Sequence, residues 1–460
     1  MTDNTVAVGG SFLDRRRTVA PGGYNRFLVP PAALAVHLSI GQAYAFSTYN
    51  LPLTKLIGLT QPAPDDWKLT EVGWIFSIAI FFLGASAALF GRWVETAGPR
   101  KAMFTAALCF GGGFLVSALG IHLHQLWLLY LGYGALGGCG LGIGYISPVS
   151  TLIKWFPDRP GMATGMAIMG FGGGALIGAP LSLFLMEHFK TAASNGVMEA
   201  FIAMGAIYFT FMLIGAITVR VPPQDWSPAG WVASEHPQKL VTTAQVSLEQ
   251  AWRTPQFWML WGILCMNVTA GIGVLGQASP MIQEMFSGRV TAPAAAGFVG
   301  LLSLFNMVGR FFWASTSDYL GRRNTYFIFF LLGIGLYAAV PTTGHMGSIV
   351  LFVAAFAVIL SMYGGGFATI PAYLRDLFGT MQVGAIHGRL LTAWSVAGIL
   401  GPVLVNYIRQ YQIDAGVPKA QAYSVTMYIM CGLLLVGFLC NLAVREVDPR
   451  FHYRKPAEAA

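Results

Sequence analysis

Twelve apolar stretches divide this chain, each long enough to cross a hydrocarbon layer that needs about 20 helical residues. They fall at roughly 27–50, 71–92, 100–121, 125–153, 161–187, 199–220, 256–284, 293–317, 324–342, 347–374, 384–408 and 421–443. In lipid only helices or closed barrels satisfy every backbone N–H and C=O, and runs of this length are helical. The expected fold class is an all-α membrane protein with twelve transmembrane helices. Charged residues make up 10% of the 460, against about 25% in an ordinary soluble domain, so that class is excluded.

The formal charge of +8 does not point to nucleic acid, because of where it lies. With both termini cytoplasmic, inner loops and tails hold 20 of the 27 Lys and Arg residues. The outer loops hold six, namely Lys55, Lys68, Lys190, Arg289, Arg409 and Lys419, and Arg310 is the remaining one. This asymmetry is the positive-inside bias, which orients the chain in a cell inner (plasma) membrane. Arg15, Arg16 and Arg17 precede Pro21-Gly22-Gly23 without a cleavage pattern, and read as a short cytoplasmic tail. The five cysteines all fall in apolar runs without metal or redox spacing, so neither a metal nor a cofactor is expected. The expected partners are the lipid bilayer and a small ligand, with no nucleic acid, and a monomer suffices.

The chain repeats itself. An offset of 223 carries Glu95 to Asp318, Gly98 to Gly321, Arg100 to Arg323, Pro148 to Pro371, Gly161 to Gly384, Gly165 to Gly388 and Gly178 to Gly401. Seven matches at one offset, each at the same point in the topology, imply a duplicated six-helix unit. The expected domains are a cytoplasmic tail at 1–26, a six-helix bundle at 27–220, a cytoplasmic linker at 221–255, a second bundle at 256–443 and a tail at 444–460. The linker carries Asp225, Glu235, Lys239 and Glu249, and Ser247-Leu248-Glu249-Gln250 has the pattern of a capped short helix. Parallel six-helix repeats with a site between them near the midplane are an established transporter architecture.

The loop after the second run contains Gly91, Arg92, Glu95, Gly98, Pro99, Arg100 and Lys101, and its partner contains Ala314, Asp318, Gly321, Arg322 and Arg323. An acid, a turn glycine and a basic pair at this junction resemble the signature loop of the major facilitator superfamily. The resemblance implies gating roles for Gly91, Glu95, Gly98, Arg100, Asp318, Gly321, Arg322 and Arg323. Glu95 in place of Asp, Pro99 within the basic pair and Ala314 in place of Gly depart from that pattern. GIGYISPVSTLIKWFPDRPGMATGMAIMGFGGGALIGAPL (142–181), GQAYAFSTYNLPL (41–53), TPQFWMLWGILCMNVTAGIG (254–273) and GGGFATIPAYLRDLFG…GAIHGRLLTAWSVAGILGP (364–402) narrow it further. They are similar to the oxalate/formate antiporter group, close to the monocarboxylate transporters.

Arg310 lies eight residues before Asp318, which at about 1.5 Å per residue places it roughly 12 Å inside the bilayer. A guanidinium there costs at least about 3 kcal/mol, so it needs a partner or water. No Asp or Glu lies deep in an apolar run, which leaves a visiting anion as the simplest partner. The plainer alternative is satisfaction by backbone carbonyls or buried water. Asn306, four residues earlier, shares its helix face and could donate to the ligand. The resemblance to monocarboxylate carriers makes Arg310 the match of their anion-binding arginine. The oxalate exchanger of that group is understood to use a second basic residue in the eleventh helix. Here Trp394 is the nearest match and Arg389 lies close to the helix end. One fixed cation balances a monoanion and leaves a dianion uncompensated.

Other candidates are weaker. His37, Gly41, Tyr44 and Thr48 are spaced to share a stripe on the first helix, while Gln42 and Tyr49 fall on another. Tyr44, Tyr145 and Tyr363 could present hydroxyls, His37 could shuttle a proton, and Trp394 could narrow the site. Each also has a plain packing reading. Gly134, Gly138 and Gly142, and Gly170, Gly174 and Gly178, make faces for close helix packing or for sliding.

These features together imply a secondary transporter of small carboxylates, not an enzyme. A monocarboxylate such as formate, lactate or pyruvate is expected, moved by alternating access and anion exchange. Proton-coupled symport, with His37, Glu284 or the substrate carrying the proton, is the rival, as is oxalate:formate exchange. A haem enzyme would want paired intramembrane histidines, a receptor an appended soluble domain, and a channel no signature loops.

Overall fold

The computed structural model describes residues 11–224, 226–231 and 240–453. Asp225, Glu235 and Lys239 of the polar stretch, and the outermost parts of both tails, lie outside the described residues. Among the described residues, twelve helices are long and apolar enough to cross a membrane. In the first set are α1 (Arg26–Ala45), α2 (Glu71–Ala97), α3 (Pro99–His122), α4 (Leu126–Trp155), α5 (Pro160–Phe189) and α6 (Val197–Thr218). In the second are α7 (Pro255–Leu275), α8 (Gly297–Leu320), α9 (Arg322–His345), α10 (Ile349–Phe378), α11 (Val383–Asp414) and α12 (Ser424–Ala443). Large apolar side chains such as Leu89, Phe184 and Val350 point outward, as lipid contact requires.

Hydrogen bonds gather both tails and the linker on one face. The N-terminal tail runs beside the end of α6, with Ala20 N–H donating to Val221 O and Val221 N–H to Thr18 O, both at 2.9 Å. The linker is tied to α10 by Thr242 N–H to Asp376 O (2.8 Å) and Val246 N–H to Phe378 O (2.9 Å). Tyr453 N–H reaches Gln245 O at 2.7 Å, which brings the C-terminal tail to the same surface. Leu248–Ala251 forms a short helix whose first turn is capped by the Ser247 hydroxyl. We call this surface the chain-end face.

Two tight junctions there depend on glycine. Gly98 (φ 85°) separates α2 from α3 and Gly321 (φ 80°) separates α8 from α9, in a backbone region that other residues rarely enter. Pro99 follows as the first residue of α3, where a missing N–H costs nothing.

The first helix is not uniform. Regular winding over Val29–Ile40 tightens to a 3-10 turn over Gly41–Ala45 before a further helix at Ser47–Leu53. The turn sits where α1 and α5 touch: a Cβ on Gly41 would lie 2.3 Å from Phe171 O, and one on Gly174 2.6 Å from Gly41 Cα. The expected single stripe of His37, Gly41, Tyr44 and Thr48 is therefore broken. His37 turns toward α4, Tyr44 toward α10, and the Thr48 hydroxyl folds back on Ala45 O at 2.8 Å. Gln42 accepts from Tyr133 Oη (2.9 Å), and Tyr49 donates to Ser182 Oγ (2.7 Å), both among the first six helices.

The two glycine stripes also pack inside the first set. Gly134, Gly138 and Gly142 seat against Ile78, Ala79 and Leu83 of α2, and Gly170, Gly174 and Gly178 against His37, Gly41 and Gln42 of α1. Different glycines meet the second set. Gly84 and Gly91 lie on Ser395 and Ala385 of α11, Gly388 lies on Ala87, and Gly161 and Gly165 lie on Ala314 and Phe311 of α8. Small residues at these crossings let backbones approach closely.

Candidate functional site

Arg310 is completely buried where α5, α8 and α10 meet. Its seat is cut by two glycines. A Cβ on Gly172 would come within 3.0 Å of Arg310 Nε, and one on Gly364 within 2.2 Å of Asn306 O and 3.1 Å of Arg310 Cγ. Arg310 Nε donates to Asn306 Oδ1 at 2.9 Å, and Nη1 makes a long 3.4 Å contact with Ile168 O. The guanidinium carbon lies 5.6 Å from the centre of the Phe171 ring and 5.3 Å from that of Phe367. Nη2 is buried without a hydrogen-bond partner, and no carboxylate pairs with Arg310 among the described residues. Ring faces and one amide oxygen hold the cation in place without neutralising it. Asn306 meets the arginine through its amide oxygen, which leaves its N–H groups as donors.

A box of aromatic side chains surrounds this group. Trp394, fully buried on α11, lies 4.5 Å from Phe367, 5.3 Å from Phe171, 5.5 Å from Tyr145 and 6.4 Å from Tyr44, ring centre to ring centre. Tyr44 and Tyr363 join hydroxyls at 3.2 Å, bridging α1 and α10. The Tyr44 and Tyr145 hydroxyls lie beside the Arg310 guanidinium, near enough to attract it, though neither makes a hydrogen bond of normal geometry with it. The Tyr145 hydroxyl and Trp394 Nε1 are buried and unpartnered. Three groups able to donate a hydrogen bond, on α4, α8 and α11, therefore belong to one buried cluster. An oxyanion suits such a set, since it accepts several hydrogen bonds at once.

His37 lies behind Tyr145, its ring stacked at 5.2 Å and Nε2 at 3.1 Å from Tyr145 O. A carbonyl only accepts, so Nε2 carries the proton. Sequence reading missed Phe171, Phe367, Gly172 and Gly364. His387, in the first turns of α11, is 1% exposed and 5.8 Å from the Tyr145 ring, with both ring nitrogens unpartnered. The runs Gly172-Gly173-Gly174 and Gly364-Gly365-Gly366 were the available signal for a crowded site. Arg389 lies apart, over the Trp252 ring at 5.1 Å. Glu284, the candidate proton carrier at the far end, is held by Arg409 Nε (2.9 Å) and the Tyr423 hydroxyl (2.7 Å).

The loop residues divide by task. Glu95 Oε1 accepts the Gly384 N–H at the start of α11 (3.0 Å), while Oε2 pairs with Lys154 at 2.7 Å. Asp318 accepts the N–H groups of Gly161 and Met162 at the start of α5, both at 2.8 Å. Each acid caps a helix of the opposite set, where free N–H groups and the helix dipole favour negative charge. Arg322 holds Asp318 (2.6 Å) and Asp376 (3.0 Å) together. Gly91 lets α2 meet Ala385, whereas Arg100 is tied to Phe12 O (3.0 Å) and Ile217 O (3.2 Å), and Arg323 to Leu442 O (2.6 Å). Gly98 packs beneath Arg15, while the space around Gly321 is open.

Twelve membrane-length helices, paired signature loops and a buried, incompletely satisfied cation define a polytopic membrane transporter. The sequence model of the Major Facilitator Superfamily matches residues 23–402, and the chain belongs to that superfamily. Among curated proteins it is 27% identical over 380 residues to the oxalate:formate antiporter of Oxalobacter formigenes, covering 82% of this chain and 84% of that one. It is 25% identical over 385 residues to human monocarboxylate transporter 11, covering 80% and 75%. Among solved structures, FucP in its outward conformation superposes with a TM-score of 0.63 at 15% identity, covering 90% of this chain and 98% of that one.

Proposed function

We infer that this protein carries a small monocarboxylate across the cell's inner (plasma) membrane by alternating access, with Arg310 as its anion-binding residue. The observation that carries this reading is the buried Nη2 of Arg310, a charged donor without a protein partner. The similarity to an oxalate:formate antiporter and a monocarboxylate transporter supports a carboxylate as the anion. Trp394 favours a single carboxylate, because it fills the eleventh-helix side of the box with bulk and no charge. Tyr44, Tyr145 and Tyr363 frame the ligand, and the chain-end face is cytoplasmic by the positive-inside bias.

Binding brings the net charge of the box near zero, which allows the two sets of helices to close around it. An unloaded carrier keeps a bare cation in the barrier, so exchange of one anion for another is favoured over net flux. Proton symport through Glu284 is disfavoured by its engagement with Arg409 and Tyr423. No catalytic role is assigned to any residue, and a monomer suffices for the cycle.

Counterflow in proteoliposomes with formate, lactate, pyruvate and oxalate tests the reading. Arg310→Lys is expected to abolish it although charge is kept, because a lysine point charge does not reproduce the guanidinium fork. Full activity in that variant overturns the assignment.

A further inference from the structure

Arg100 lies in the first turn of α3 at the chain-end face, yet it is only 3% exposed. Nη1 donates to Phe12 O at 3.0 Å and Nη2 to Ile217 O at 3.2 Å, while the guanidinium carbon lies 4.6 Å from the centre of the Phe12 ring. It thereby ties the N-terminal tail to the end of α6, whose free carbonyls favour a cation. Arg323, its counterpart in the repeat, makes a like tie to the end of α12 through Leu442 O. Nε is buried and unpartnered in both. One arginine therefore suffices for that structural task.

In the first set that cation is crowded. Arg220 donates through Nη1 to Ile217 O (3.0 Å) and Val219 O (2.9 Å), and both Arg220 and Arg17 lie near enough to repel the Arg100 charge. Among the described residues no carboxylate pairs with Arg100 or Arg220. Three guanidinium groups gathered at one spot repel one another unless an anion sits among them. Orienting a chain in a membrane requires only exposed basic residues, so it accounts for neither the burial nor the crowding. An apolar strip leads away from the cluster. Phe211, Ile214 and Ile217, three residues apart on α6, share a face and are exposed. Phe12, held to the same guanidinium as Ile217, is exposed as well.

We propose that Arg17, Arg100 and Arg220 form a binding site for the phosphate headgroup of an anionic phospholipid in the leaflet at the chain-end face. A phosphodiester offers guanidinium groups a negative charge and two acceptor oxygens in matching geometry. The exposed strip of α6 selects a lipid over a free phosphate, because acyl chains cover it while the headgroup stays level with the start of α3 and the end of α6. The site also reaches the contacts that close this face. The tail that bears Phe12 and Arg17 seats Arg15 against Gly98, with Arg15 Nη1 on Glu95 O at 3.2 Å. Headgroup binding therefore steadies the turn from which Glu95 caps α11. The site is independent of the ligand carried in the central box.

The test is thermal unfolding of the full chain in detergent micelles titrated with phosphatidylglycerol, phosphatidylcholine or inorganic phosphate. Phosphatidylglycerol is expected to raise the melting temperature at low mole fraction, while phosphatidylcholine and phosphate at matched concentrations leave it unchanged. Arg220→Gln and Arg17→Gln should each move the midpoint of that titration about fivefold toward higher lipid. Arg450→Gln, which removes an exposed arginine paired with Asp448, should not move it. Equal stabilisation by the two lipids overturns the proposal. An equally large shift in Arg450→Gln also overturns it, by revealing diffuse charge attraction in place of a site. Phosphate that stabilises as strongly as phosphatidylglycerol overturns the lipid assignment, since the cluster then takes a soluble anion. If Arg220→Gln does not fold, Arg17→Gln decides the comparison.

Discussion

The Asp318 carboxylate accepts the backbone N–H of Gly161 at 2.8 Å, and its counterpart Glu95 accepts that of Gly384 at 3.0 Å. Donors and acceptors alike are related by the offset of 223 residues, so the two caps are copies of one interaction made reciprocally. Each crosses from one set of helices to the other at the chain-end face. In the proposed alternating-access cycle the acids would act as releasable ties, stabilising a closed face only while the helix N-termini of α5 and α11 stay within reach.

Asp318→Asn keeps the shape but removes the charge, and Arg322 and two N–H donors lose an anionic acceptor. A charged hydrogen bond is worth about 1.5–3 kcal/mol, so the closed face should loosen by roughly tenfold in equilibrium or more. Alkylation of a cysteine placed at buried Ser150, in a background lacking the five native cysteines, should speed up accordingly. An unchanged rate would refute a closing role for Asp318.

Asn306→Asp installs an internal counter-ion 2.9 Å from Arg310 Nε. The new carboxylate competes with any visiting anion for the same guanidinium. Apparent affinity for formate should fall by about 10- to 100-fold while thermal stability in detergent rises. Retained affinity with no gain in melting temperature would argue that Arg310 is not the anion's partner.

Gly172 and Gly300 make a matched pair on the question of packing. A Cβ on Gly172 meets Arg310 Nε at 3.0 Å and Met307 Cα at 3.1 Å, whereas Gly300 has nothing within 4 Å. Gly172→Ala should depress transport by displacing α5 from α8. Gly300→Ala should preserve it and add about 0.5–1 kcal/mol of stability through lower chain entropy. Equal behaviour of the two variants would remove the steric argument.

Asp66 lies in the loop between α1 and α2, outside the membrane spans. Burial pushes its carboxyl pKa up, but backbone N–H groups of Ile57, Ala63, Gly58 and Leu56 outweigh that and hold it below the usual carboxylate value. A depressed folded-state pKa contributes stability above the unfolded pKa, and this is lost as pH falls through the folded one. Asp66→Asn should therefore melt lower than wild type at neutral pH, with the gap closing below about pH 4. A gap that persists in acid would show that shape, not charge, is what Asp66 provides.

Much of the architecture could be read directly. Apolar runs marked the helices because lipid leaves the backbone no alternative, and Arg310 stood out because charge in hydrocarbon is costly. Its environment was harder to foresee. The 3-10 turn at Gly41 redirects Tyr44 by a local change in winding that residue spacing cannot encode. Phe171 and Phe367 looked like any other apolar residues, since a ring packing on a cation and one packing on leucine share a composition. Of the glycines that meet across the two sets, Gly91, Gly161, Gly165 and Gly388 stood out as loop or repeat positions and not as contacts, and Gly84 did not stand out at all.

The two rings against Arg310 come from different helix sets, Phe171 from α5 and Phe367 from α10. Any rocking that parts the sets must peel one ring from the guanidinium and wet that side of it. The toll falls on unloaded and loaded carriers alike, yet only the loaded one brings an anion to offset it. A pair of phenylalanines can thus act as a turnstile, penalising empty passage without a dedicated gate.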